Sequence, residues 1–179
     1  MTRPSAWHNH LKLAKKPLNA ATVREIEWLR DVLTKFSYFV DSRQFDLYRT
    51  ILSKDCEFTN AAMKTTVKGR DTVIKFMKGQ AKLQKTIPAS SKHHQSNMIA
   101  RVDRGGRTAV ATCYLQASSI LKPEFGGQLV LWGGWYTFNF IKQRGNWLVS
   151  GVLVNRRFEI KIPDVAIRGP GELPPEVGF

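Results

Sequence analysis

Cysteine is nearly missing: Cys56 and Cys113 are the only two in 179 residues, too few for a disulfide framework. Both lie in apolar, strand-like stretches and read as reduced, buried thiols. No apolar run approaches the roughly 18 residues of a membrane span, so no membrane partner is expected. Acid is scarce, 14 Asp and Glu against 28 Lys and Arg, and none precedes Glu25. That basic start has no apolar h-region and few Arg or Ser, which argues against a secretory signal and against a transit peptide; a cytoplasmic location is expected. Histidine is confined to His8, His10, His93 and His94. His8-Asn9-His10 reads as solvated, and no third ligand at metal spacing accompanies His93 and His94. With no glycine-rich phosphate loop either, neither metal nor organic cofactor is expected.

The charge excess invites a nucleic-acid reading: the formal net charge is +14. The basic residues are scattered, however, and the longest runs are the pairs Lys15-Lys16 and Arg156-Arg157. No zinc-finger spacing, RNA-recognition signature or recognition helix accompanies them. Attraction of an anionic small molecule, or plain solvated surface, fits scatter better than nucleic acid does. With 42% apolar and 11% aromatic residues, the chain can bury a core as one domain with tails.

The expected organisation is a polar basic arm at 1–21, a domain at 22–160 and a Pro/Gly-rich tail at 161–179. Asn19 or Thr22 can cap a first helix, in which Ile26, Leu29, Leu33, Phe36 and Val40 step by three and four. Phe45, Tyr48, Ile51 and Leu52 suggest a second helix over 42–53. A short strand follows at 56–60, then a polar stretch, then a third helix opened by Gly69-Arg70-Asp71. After Pro88 four β-like segments, about 91–103, 106–121, 126–142 and 146–160, are joined by turns short enough for antiparallel hairpins. Helices first and a strand meander afterwards make an α+β fold, with a strongly bent sheet around the first helix enclosing a cone-shaped cavity.

Two segments carry the chemistry. Phe36 to Asp46 puts a carboxylate, Asp41, at the end of an apolar helix, although Asp41-Ser42-Arg43-Gln44 also fits a capping box for the next helix. His93-His94 opens a strand, where neighbours point to opposite faces, so one imidazole faces inward. A carboxylate and an imidazole sharing an apolar cavity make a proton-transfer pair. Alternation splits the aromatic run at 131–140 into Trp132, Gly134, Tyr136, Phe138, Phe140 and a second set with Trp135. One set lines the interior, with Trp132 and Tyr136 as cavity candidates. Tyr38 and Tyr48 are further hydroxyls that could bind a substrate oxygen.

The whole resembles the SnoaL-like group of the NTF2-like superfamily over residues 22–160. Phe36 through Asp46, the His-x-x-x-Asn pattern of His93 to Asn97, Gly134-Trp135-Tyr136 and Gly145-Asn146-Trp147-Leu148-Val149 carry the resemblance. Asp41-Ser42-x-x-Phe45-Asp46 is most similar to the branch holding scytalone dehydratase, bile-acid 7α-dehydratase and the lindane dehydrochlorinase. The resemblance implies an NTF2-like (cystatin-like) barrel, an Asp41–His93 dyad as catalytic pair, Asn97 beside the substrate, and Arg156 of Arg156-Arg157-Phe158-Glu159 as an active-site residue. It also implies a homo-oligomer, a dimer or trimer. Phe36 stands where that branch carries a tyrosine, which leaves Tyr38 and Tyr48 as replacements.

The function expected is a cofactor-independent lyase or isomerase, dehydratase-like, acting on a small oxygenated ring compound such as a polyketide or terpenoid intermediate. The alternatives are a polyketide cyclase and a non-catalytic NTF2-like module that binds a ligand or partner.

Overall fold

The computed structural model of the protein describes residues 19–83 and 90–163; nearly all of the expected arm, most of the tail, and His8 and His10 lie outside them. The first helix, α1 (Ala20–Asp41), starts where Asn19 accepts a hydrogen bond from the Thr22 backbone N–H, one of the two caps expected. Leu29, Val32, Leu33, Phe36 and Phe39 are each 3% exposed or less, a wider buried stripe than the apolar steps alone suggested.

The expected second helix at 42–53 is much shorter. It consists of a 3-10 turn at Phe45–Leu47 and one helical turn, α2 (Tyr48–Ile51). Its four apolar residues are buried as expected, but Leu52 already belongs to a strand, β1 (Leu52–Asn60). Pairing with a distant strand overrides local helix preference there. The polar stretch after β1 holds a second short strand, β2 (Thr65–Lys68), which the sequence reading did not include. The third helix, α3 (Arg70–Leu83), follows Gly69 as expected.

Four long strands complete the sheet: β3 (Lys92–Val102), β4 (Thr108–Ile120), β5 (Leu129–Gln143) and β6 (Asn146–Ile162). Their order is β2-β1-β6-β5-β4-β3. The sheet is mixed rather than wholly antiparallel, because β1 runs parallel to β6. The helical segment after α1 delivers the chain to that edge in the parallel sense, and no hairpin turn marks the pairing. The set Trp132, Tyr136, Phe138 and Phe140 faces α1, with the Phe36 ring 6.1 Å from Tyr136 and 5.2 Å from Phe138. Far from the later site, Glu25 ties α1 to the β5–β6 hairpin. It accepts from Lys142 Nζ at 2.8 Å and from Trp147 Nε1 at 2.5 Å, and the Lys142 bond chiefly lowers its pKa. Among the described residues no helix is long and apolar enough to cross a membrane.

Candidate active site

The end of α1 aims Asp41. Gln44 N–H donates to the Phe39 carbonyl at 2.9 Å and Arg43 N–H to the Val40 carbonyl at 3.3 Å, the pattern of a Schellman ending. Arg43 occupies the left-handed position, φ 61°, where glycine is usual, a conformation that costs a side-chain-bearing residue about 1–2 kcal/mol. A carboxylate in the last turn also opposes the helix dipole. Two donors from β3 offset that opposition. Asp41 Oδ1 lies 2.6 Å from His93 Nδ1, and Asp41 Oδ2 accepts from the His93 backbone N–H at 2.9 Å. The capping box does not form: the 3-10 turn that follows has no side-chain cap, and both carboxylate oxygens are given to His93.

β3 can make this contact because it is an edge strand, so its outer N–H groups have no strand partner among the described residues. A second tie holds the same edge to the helix, Gln95 Nε2 donating to Ser37 Oγ at 2.5 Å. His93 and Asp41 side chains are only 12% and 10% exposed, while His94 points outward and is exposed. An ionised carboxylate only accepts hydrogen bonds, so Nδ1 of His93 carries the proton and Nε2 keeps its lone pair. Arg43 lies close behind. Burial pushes its guanidinium down from the ordinary value, and the Asp41 charge partly restores it.

His93 lines a pocket of about 140 Å³ whose walls come from β1, α3, β5 and β6. Phe58, Phe76, Met77 and Val154 make it apolar, with Asn60, Gln80, Tyr136 and Arg156 as polar points. The Trp132 ring meets the His93 ring edge-on, centroids 5.6 Å apart. Arg156 lies over the Trp132 ring, 4.7 Å from its centroid, and donates to Glu159 Oε2 at 2.6 Å. A bulge in the β5–β6 ladder, where β6 carries the extra residue Arg157 opposite Gly133 and Gly134, permits this aim. A β-carbon on Gly134 would sit 1.9 Å from the Asn155 carbonyl oxygen, so only glycine lets β6 come that close.

Of the expected site residues, the structure gathers Asp41, His93, Trp132, Tyr136 and Arg156. It does not bring in the other three. Tyr48 is 1% exposed and spends its hydroxyl on the Phe36 carbonyl at 2.6 Å. Tyr38 packs against the core but does not line the pocket. Asn97 sits at a bulge in β3 with φ 50°, exposed, beside Gln95 and Met98 in a different cavity. The bulge turns it away from the face that His93 shares. The α3 and β1–β2 walls were missed: Phe76 and Met77 at helical spacing read as ordinary core, and no local signal marks Asn60, Met63 or Gln80. A larger groove, about 540 Å³ between Arg101, Arg104, Asn139 and Ser150, contains none of these groups, and its one acid, Asp103, is engaged by the Arg107 and Thr108 backbone N–H groups.

A bent sheet wrapped on a long helix, with a helix-end acid and an edge-strand histidine meeting inside, defines an α+β barrel of the NTF2-like kind. The chain belongs to the SnoaL-like domain family, whose model matches residues 21–152. No curated protein sequence matches it. Among solved structures it is similar to hexachlorocyclohexane dehydrochlorinase LinA-type3 from Novosphingobium barchaimii LL02, at 16% identity and a TM-score of 0.70, over 83% of this chain and 97% of that one. It is similar to a candidate scytalone dehydratase from Novosphingobium aromaticivorans at 16% identity and TM-score 0.67, over 89% and 100% of the two chains. An uncharacterised protein with a cystatin-like fold from Caulobacter vibrioides shares 16% identity at TM-score 0.59, over 78% and 90%.

Proposed function

We propose that the protein is a cofactor-independent lyase or isomerase that moves a proton on a small, partly apolar, oxygenated ring compound, of the polyketide or terpenoid kind. The observation that carries this reading is the 2.6 Å contact between His93 Nδ1 and Asp41 Oδ1 at the wall of an apolar pocket. Asp41 fixes the ring and its tautomer through the bond to Nδ1 and anchors the His93 backbone through a second bond to its N–H. Nε2 of His93, which has no partner among the described residues, takes a proton from the substrate carbon, and Asp41 stabilises the imidazolium that results. Returning that proton to a departing hydroxyl completes an elimination; returning it to another carbon completes an isomerisation. The pocket's 140 Å³ is close to the roughly 150 Å³ cavity that admits a benzene ring, which supports a substrate with one ring inside. Two structurally similar proteins carry names of elimination enzymes, in keeping with this chemistry.

The test is turnover of ring β-hydroxy ketones, followed as loss of water by mass spectrometry. His93→Ala and Asp41→Asn are expected to lower the rate by about 10²-fold or more, with thermal melts showing a folded protein. His94→Ala, altering an exposed ring on the far face, is expected to stay within a few-fold. Equal losses from both histidines would contradict the dyad.

A further inference from the structure

We propose that the Tyr136 hydroxyl is the hydrogen-bond donor for the substrate's ring oxygen, so that the ligand is a ring ketone or enone whose oxygen points at β5 while its acidic carbon faces His93. The proposal rests on the proton-transfer reading of this site and adds the group that receives the charge.

The chain has four tyrosines, and the structure disposes of three. Tyr48 donates to a backbone carbonyl within the core. Tyr114 is 60% exposed on the outer face of the sheet. Tyr38 does not line the pocket. Tyr136 does line it, at 5% exposure, and among the described residues its hydroxyl has no hydrogen-bond partner. The hydroxyl keeps some exposure to the pocket and its donor is unused there, so a ligand oxygen can reach it. Its neighbours on the same concave face are Trp132, two strand steps away, and Val154, its register partner on β6; Arg156 follows two residues along β6. Burial pushes the Tyr136 phenol up from its ordinary value, with Cys113 and Asp41 acting the same way and Arg156 opposing them. The phenol therefore keeps its proton at neutral pH and can donate it in a hydrogen bond.

The chemical step balances with these groups alone. His93 Nε2 takes the proton from the carbon beside the carbonyl. The C–H electron pair becomes a C=C bond, the C=O π pair moves to oxygen, and the oxyanion receives the Tyr136 hydrogen bond, with the Arg156 charge nearby. Collapse of the enolate then expels a β-hydroxyl, which leaves as water with the proton from His93, or takes that proton at another carbon.

Binding of 4-nitrophenol and of 4-nitrotoluene, titrated by absorbance, compares a ring that carries an oxygen with one of similar shape that does not. Wild-type protein is expected to prefer the phenol by about tenfold or more. Tyr136→Phe should reduce that preference to less than about twofold, and His93→Ala should retain it. An unpartnered hydroxyl also implies that Tyr136→Phe melts at the wild-type temperature. The proposal is overturned by an unchanged preference in Tyr136→Phe, by loss of preference in His93→Ala instead, by absence of binding, or by a lowered melting temperature. Each of those results leaves the proton-transfer reading to its own test, because ligand preference does not require His93 to act as a base.

Discussion

Asp41 holds His93 with both oxygens at once, and the side chain of no other residue type reproduces that. Asn at the same position keeps one acceptor but presents an amide N–H to the second site. Facing Nδ1, that N–H turns the ring into the tautomer with its proton on Nε2, which is no longer a base. This is why Asp41→Asn is chosen over a truncation: it keeps the shape and removes the chemistry. The same residue-by-residue logic separates the tyrosines. Tyr48 has a partner and Tyr136 has none among the described residues, so loss of the first hydroxyl is expected to destabilise the protein and loss of the second is not. Tyr48→Phe removes the hydroxyl's bond to the Phe36 carbonyl, which keeps its helical partner within α1, and is expected to cost about 0.5–1.5 kcal/mol in denaturant unfolding. A variant as stable as wild type would show that the 2.6 Å bond contributes nothing. At this scale the sequence was informative about charge-bearing residues and silent about hydroxyls. Asp41 and His93 stand out because an acid and an imidazole are rare beside apolar runs. Tyr38, Tyr48 and Tyr136 look alike, and only packing tells which hydroxyl is already satisfied.

Among the elements, those with strong local signals were legible and those set by distant pairing were not. The 3.6-residue period and the Asn19 cap gave α1. Period-2 alternation and glycine-containing turns gave β3 to β6 within a few residues. Arg144 and Gly145, φ 49° and 82°, form the tight turn that the Gln143-Arg144-Gly145-Asn146 sequence suggested. The short helical stretch after α1, the four-residue β2 and the parallel β1–β6 pairing carry no such signal. Their conformation is decided by the strands they meet. The β5–β6 bulge lies between these cases. Gly133 and Gly134 allow the close approach, but what it does, turning Arg156 onto Trp132 beside His93, is visible only in three dimensions. Gly134→Ala places a β-carbon against the Asn155 backbone and is expected to destabilise the protein by about 2–4 kcal/mol, measured by denaturant unfolding. A neutral result would mean that the bulge relaxes freely and does not fix Arg156.

For the molecule as a whole, the arrangement concentrates the candidate site in a small fraction of its residues. The helix, wrapped by the sheet, supplies the acid; the sheet's open edge supplies the histidine; α3 and the β1–β2 hairpin close the remaining walls. The family could be inferred from motif order, because the elements that carry those motifs also carry the fold. The substrate could not, because the pocket walls are made of Phe, Met and Val, which a sequence does not distinguish from core. The central claim is that His93 removes a proton from carbon. It is tested most directly by incubating the protein with cyclohexanone and cyclohex-2-enone in D2O and following loss of the proton beside the carbonyl by proton NMR. The expected result is exchange above the buffer rate with at least one ketone, and about 10²-fold slower in His93→Ala. Exchange no faster than buffer with either ketone, or undiminished in His93→Ala, would contradict it.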